Sequence, residues 1–320
     1  MEKINITPDD FQVAAIKYRK ELLMLPLIAL QTSTKYMTVM SGIAGKEIIG
    51  EANFDSQFAP YKADRQGTAN LDLKLRALET YFGNVVETFE PNQVVKTVFA
   101  GASTLGDSQK NVPVTKLALA SLAKNLGANL NRVLWKAKYN ATGDTSADLF
   151  DGFDTITEAE LTATNLSAAK KNYLKLTEEI TDENAVDVAK SIIQAMTPEL
   201  REQDTFMFCD YAFYDHYCEA YKATGAGLVY NKQYEQVTVE GSNHRCTLVP
   251  LANKEGSNFI HVTTKSNMLV GCDQMSDAEK IQVDRFSPFI LTFSATMFFG
   301  TQFNTIDGRR MLVVDKRTGA

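Results

Sequence analysis

Hydrophobic and polar residues alternate most cleanly at Leu71-Asp72-Leu73-Lys74-Leu75-Arg76. Successive side chains of a strand point to opposite faces. The pattern therefore predicts a half-buried strand with one apolar face and one charged face. A second strand is predicted at Val85–Phe89, closed by Glu90-Pro91-Asn92. Near the C-terminus Phe289, Leu291, Phe293, Ala295 and Met297 alternate with Thr292, Ser294 and Thr296. Ile281-Gln282-Val283 alternates too, and Arg310–Asp315 makes a last strand. Shorter strands are predicted around Thr205–Cys209, Val237–Val239, Cys246–Val249, Phe259–Thr263 and Leu269–Gly271. The run Val94–Phe99 fits a helix or a strand.

Other segments carry the helical period. Leu119, Leu122, Leu126, Leu130 and Val133 recur at spacings of three and four, with Lys116, Lys124, Asn125 and Arg132 off the stripe. This predicts an amphipathic helix from Pro113 to Tyr139, roughly 38 Å long at 1.5 Å per residue. Thr7-Pro8-Asp9-Asp10 opens a helix that runs to about Leu25, before Pro26. Thr181-Asp182-Glu183-Asn184 caps a third, with the stripe Ala185, Val188, Ala189, Ile192 and Met196, ended by Thr197-Pro198. Phe213, Tyr214, Tyr217, Cys218 and Tyr221 give an aromatic helix face, ended by Gly225 and Gly227. Between Ser41 and Arg65 no helical period survives, and glycines punctuate a long extended excursion. Loops of that length usually have a function. Asp151-Gly152 reads as a turn, anchored to a core by Phe150 and Phe153. Strands and helices are mixed without regular βαβ alternation, so the class is α+β.

The 320 residues are 44% hydrophobic and 22% charged, values of a globular chain of roughly two domains. The net charge of −6 argues against a dedicated nucleic-acid binder. It leaves room for a protein that encloses nucleic acid without gripping it, and Lys17, Arg19 and Lys20 offer local basic contacts. The apolar stretch Leu22–Leu30 is broken by Pro26 and is shorter than the ~20 residues of a membrane helix. Four sparse cysteines fit a reducing interior.

Motifs for chemistry are weak. Gly225-Ala226-Gly227 lacks the third glycine of a dinucleotide loop, and Gly45-Lys46-Glu47 lacks the rest of a phosphate loop. His216 with Cys218, and His244 with Cys246, have the spacing of strand neighbours but no cysteine-x-x-cysteine clip. Cys218 and Cys246 are the candidate nucleophiles of a cytoplasmic thiol hydrolase, without a Gly-x-Ser-x-Gly elbow or other constellation. Asp151 and Asp154 resemble a calcium loop only loosely, because Ala147 and Leu149 occupy ligand positions.

The order of features resembles a known family. A helical arm precedes the extended excursion. Leu71–Arg76, Leu78-Glu79-Thr80-Tyr81-Phe82 and Val85-Val86-Glu87-Thr88-Phe89-Glu90-Pro91 follow. A long helix ends in Leu134-Trp135-Lys136 before Phe150-Asp151-Gly152-Phe153-Asp154-Thr155-Ile156. Ser266-Asn267-Met268-Leu269-Val270-Gly271 and Phe299-Gly300-Thr301-Gln302 come later. Nearly the whole chain is similar to tailed-bacteriophage major capsid proteins of the Hong Kong 97 type.

That resemblance implies an N-terminal arm over residues 1–40 and an extended loop over 41–76. It implies a peripheral domain over 77–159 and 286–320, with a spine helix at 113–139, and an axial domain over 160–285. It implies a structural subunit rather than an enzyme, without catalytic, cofactor or metal residues. Subunits would form hexamers and pentamers of a virion shell around double-stranded DNA, assembled in the host bacterial cytoplasm. Scaffold, portal and decoration proteins would be further partners, and no membrane is involved. Phe54, Phe58, Tyr61, Lys62, Asp64 and Arg65 become the candidate inter-subunit contacts. The same fold would also serve an encapsulin-like nanocompartment.

Overall fold

The computed structural model describes residues 31–54, 58, 60–63, 71–90, 114–224, 237–273, 281–287 and 290–318. The predicted helix Pro8–Leu25, the basic residues Lys17, Arg19 and Lys20, the run Val94–Phe99, and Asp64 and Arg65 lie outside them. In chain order the strands are β1 (Thr38–Ser41), β2 (Lys46–Phe54), β3 (Leu71–Glu79), β4 (Tyr81–Phe89), β5 (Tyr173–Lys175), β6 (Thr205–Cys209), β7 (Cys246–Pro250), β8 (Phe259–Thr263), β9 (Met268–Cys272), β10 (Ile281–Ser287), β11 (Ile290–Phe303) and β12 (Met311–Asp315). The helices are α1 (Val114–Val133), α2 (Phe153–Thr162), α3 (Ala185–Ala195), α4 (Pro198–Arg201) and α5 (Tyr211–Thr224). A single helical turn, Gln31–Thr34, precedes β1. The predicted strand Val237–Val239 is reduced to one bridge, Thr238 to Thr247.

Two sheets divide the strands. In the first, β11 pairs antiparallel with β4, β9 and β10, and β1 joins β9 in parallel. The second has the order β5-β12-β8-β6-β7. The strands β2 and β3 form a separate antiparallel hairpin in the register Lys46–Glu79 to Phe54–Leu71. The strand β12 lies inside the second sheet, between β5 and β8, while β9 and β10 belong to the first. The reason is composition: β12 is buried at every position, so it needs a place where both faces are covered.

The second sheet separates two cores, and its strands alternate between them. Phe208, Val249, Phe259, Met311 and Val313 face a cluster holding Trp135, Phe150, Phe153 and Phe303. Met207, Leu248, Ile260, Val262, Leu312 and Val314 face the buried sides of α3 and α5. The stripe of α3 is close to the expected one: Ala185, Val186, Ala189, Ile192 and Ile193 are buried. On α5, Phe213 and Tyr217 are buried.

The long helix stops at Val133, six residues short of the predicted Tyr139. The chain then turns so that Leu134, Trp135 and Ala137 are all fully buried. Their carbonyls accept from the backbone N–H groups of Phe153, Asp154 and Gly152. The free acceptors of one helix end and the free donors of the next helix start thus satisfy each other. Phe150 and Phe153 anchor this turn, as their pattern predicts.

Candidate inter-subunit surface

At its base the β2–β3 hairpin is tied to the body by apolar contacts. Ile49 and Leu78 bury against Ile43 and Leu269. Farther out the inward face changes character. Arg76 lies 2.7 Å from Glu160 and also donates to the Phe303 carbonyl and to Gln302. Lys74 lies 2.5 Å from Asp307, and Glu51 lies 3.0 Å from Arg310. Burial alone would raise the Asp307 carboxyl, but hydrogen bonds from Arg309 and Lys74 hold it well below its ordinary range.

The opposite face carries Ile48, Leu73 and Leu75, exposed by 71%, 52% and 61%. Here Lys74 and Arg76 turn inward and Leu73 and Leu75 turn out, the reverse of what a half-buried strand suggests. The cause is the surface beneath. Glu160, Asp307, Gln302 and the Phe303 carbonyl attract cations, not leucines. The result is an unpartnered apolar ladder on a hairpin, an arrangement that marks a contact surface.

A second outward stripe lies on β4, where Phe82 and Val86 are 62% and 59% exposed. Phe82 packs on Phe298 of β11 with ring centroids 4.9 Å apart. Of the six residues singled out from the sequence, Phe58, Tyr61 and Lys62 are exposed. Phe54 ends β2, its side chain outside the described residues, as are Asp64 and Arg65. Sequence reasoning missed Ile48, Leu73 and Leu75 because alternation reveals two faces without saying which one turns outward.

The candidate chemical residues do not converge. His216 pairs with Asp182 at 2.7 Å, on the exposed side of α5. His244 sits in a turn with positive φ rather than on β7, and contacts Thr238. It therefore does not share a strand face with Cys246. Cys246 is buried, and burial pushes its thiol up to about 11, away from the reactive thiolate. Among the described residues no three His, Cys, Asp or Glu side chains are placed to hold a metal ion. Among the same residues no helix is long and apolar enough to cross a membrane.

No protein-family model and no curated protein matches the sequence. Solved structures do match. The chain superimposes on a chain of the satellite phage P4 procapsid structure with a TM-score of 0.55 at 13% identity, covering 91% of this chain and 97% of that one. The fold is the Hong Kong 97-type capsid fold. A capsid chain of the native GTA particle shares it, with a TM-score of 0.53 at 11% identity over 89% of this chain and 90% of that one. So does a chain of the cyanophage A-1(L) capsid, with a TM-score of 0.51 at 12% identity over 93% and 94%. At such identities the likeness lies in the backbone path. The mixed helix and sheet of this capsid fold accounts for the α+β pattern of the sequence.

Proposed function

We propose that the chain is the structural subunit of an icosahedral bacteriophage capsid. The carrying observation is the capsid fold over nine-tenths of the chain. The outward ladder Ile48, Leu73 and Leu75 supports it, because an isolated subunit gains nothing from an apolar face in water. In this reading that ladder and the exposed Phe58, Tyr61 and Lys62 cover a neighbouring subunit in hexamers and pentamers. Repetition of one heterologous contact closes a ring, and rings close a shell. The first sheet with α1 acts as the peripheral domain. The second sheet with α3 and α5 acts as the axial domain, with β12 assigned to it.

The enclosed partner is double-stranded DNA, held without sequence preference by an acidic wall. Scaffold, portal and decoration proteins complete assembly in the bacterial cytoplasm. Electron microscopy of the expressed protein tests the reading: closed shells of hexamers and pentamers are expected. A chain that stays monomeric at high concentration overturns it. Deleting residues 52–67 is expected to leave a folded subunit that no longer assembles.

A further inference from the structure

One cluster of ionisable side chains is closed off from solvent and serves no surface. Lys254, between β7 and β8, is 0% exposed. Its Nζ lies 3.0 Å from Asp154 Oδ1, 3.1 Å from His261 Nδ1 and 3.2 Å from Ser257 Oγ. The Trp135 ring covers it, with the centroid 3.8 Å from Nζ. His261 is also fully buried, and Phe303 stacks on its ring.

The hydrogen bonds fix the histidine tautomer. The single hydroxyl proton of Thr157 goes to the Phe153 carbonyl at 2.7 Å. At its 2.8 Å contact with His261 Nε2, Thr157 therefore accepts. Nε2 carries the ring proton, and Nδ1 presents a lone pair to Lys254. The same Nδ1 is 3.9 Å from Asp154 Oδ1. A neutral base thus sits between an amine and a carboxyl group. The other carboxyl oxygen, Asp154 Oδ2, is buried without a hydrogen-bond partner.

We propose that Lys254 and Asp154 condense into an intramolecular isopeptide bond, with His261 as the proton carrier. Nζ attacks the Asp154 carboxyl carbon, the Nζ–Cγ bond forms and one Cγ–O bond breaks. Two of the three ammonium protons pass through His261 Nδ1 to the departing oxygen, which leaves as water. Ammonium plus carboxylate equals amide plus water, so no other reactant is needed. Burial favours this direction. The product removes two charges from a water-poor site, and the departing oxygen is Oδ1, the one that faces His261 Nδ1. Burial also lowers the Lys254 amine, which favours its nucleophilic form.

The bond would join the start of α2, just beyond the end of the long helix, to the β7–β8 connection, 100 residues away in sequence. It does not depend on the assembly reading, since it forms within one subunit. Intact mass of the purified full chain tests it. The expected mass is one water below that of the sequence. Trypsin is expected to leave peptides 139–170 and 246–265 joined as one branched species, uncleaved after Lys254. Lys254→Arg keeps the charge and is expected to show the full mass. His261→Gln is expected to close the bond more slowly. A full-mass wild-type chain releasing peptide 246–254 overturns the proposal, as does a water loss that maps elsewhere. Closure at an unchanged rate in His261→Gln removes the histidine's role.

Discussion

The carbonyl oxygen of Trp135 lies where a side chain on Gly152 would begin: a β-carbon built there falls 2.4 Å from it. The Trp135 carbonyl carbon and the Leu134 oxygen would stand at 2.6 and 2.8 Å. All three are backbone atoms at the end of the long helix, so none can swing aside as a side chain would. The φ of −77° at Gly152 suits any residue, and the constraint is therefore one of space. Gly152→Ala must part the two helix ends and lengthen the bonds between them. The expected loss is about 1–3 kcal/mol, the range for overpacking a filled site. A denaturant titration of the subunit reads it, and an unchanged midpoint would show that the junction yields freely.

The same junction shows where sequence reasoning succeeds. Phe150 and Phe153 flank a turn dipeptide, so their burial follows from local chemistry. The short, mainly apolar runs of β8 and β12 could be recognised as strands but not assigned to a sheet. Their partners come from segments far away in the chain. The end of α1 was illegible because the bonds that stop it come from residues 152–154, not from a local breaker. Lys254 was invisible for a related reason. In Ala252-Asn253-Lys254-Glu255-Gly256 it reads as a surface loop lysine. Its burial depends on Asp154 and Trp135, both about a hundred residues away.

The outward ladder makes a separation between folding and assembly. Leu73 and Leu75 touch little in the isolated subunit. Leu75→Lys is expected to change subunit stability by no more than about 0.5 kcal/mol, as for other surface substitutions. Shell formation is expected to fail, because a charge would then face an apolar contact with no partner. Thermal unfolding and electron microscopy on the same preparation give the two readouts. Normal shells from the variant would show that this face stays in solvent.

Arg76 predicts the opposite pattern. Its side chain is 14% exposed and Glu160 is 17% exposed, so their pair is shielded from salt. Arg76→Ala takes the cation from Glu160, which keeps only the Asn165 amide as donor, and removes the Arg76 bond to the Phe303 carbonyl. The expected loss is about 1.5–3 kcal/mol, the scale of a charged hydrogen bond. It should appear locally, as faster amide hydrogen exchange in β2 and β3 with the second sheet unaffected. Lys46→Ala, which breaks a mostly exposed pair with Glu79, should have a much smaller effect.

His261 sets the acid limit of the subunit. Burial first, and in the unlinked chain the Lys254 charge second, hold its imidazole well below its ordinary value of 6.5. The folded protein keeps this ring neutral, while the unfolded chain protonates it as the pH falls through 6.5. The unfolded state then binds the extra proton, so stability falls with pH. One proton corresponds to a slope of about 1.4 kcal/mol per pH unit. Above 6.5 the ring is neutral in both states and contributes no slope. The paired carboxylates of Asp307 and Asp315 do not interfere in this window. Their folded values lie below 3.8, so their contribution is lost only at lower pH. Denaturant titrations between pH 7.5 and about pH 5 should therefore show a decline that His261→Gln flattens. An equal decline in the variant would place the responsible proton on another group.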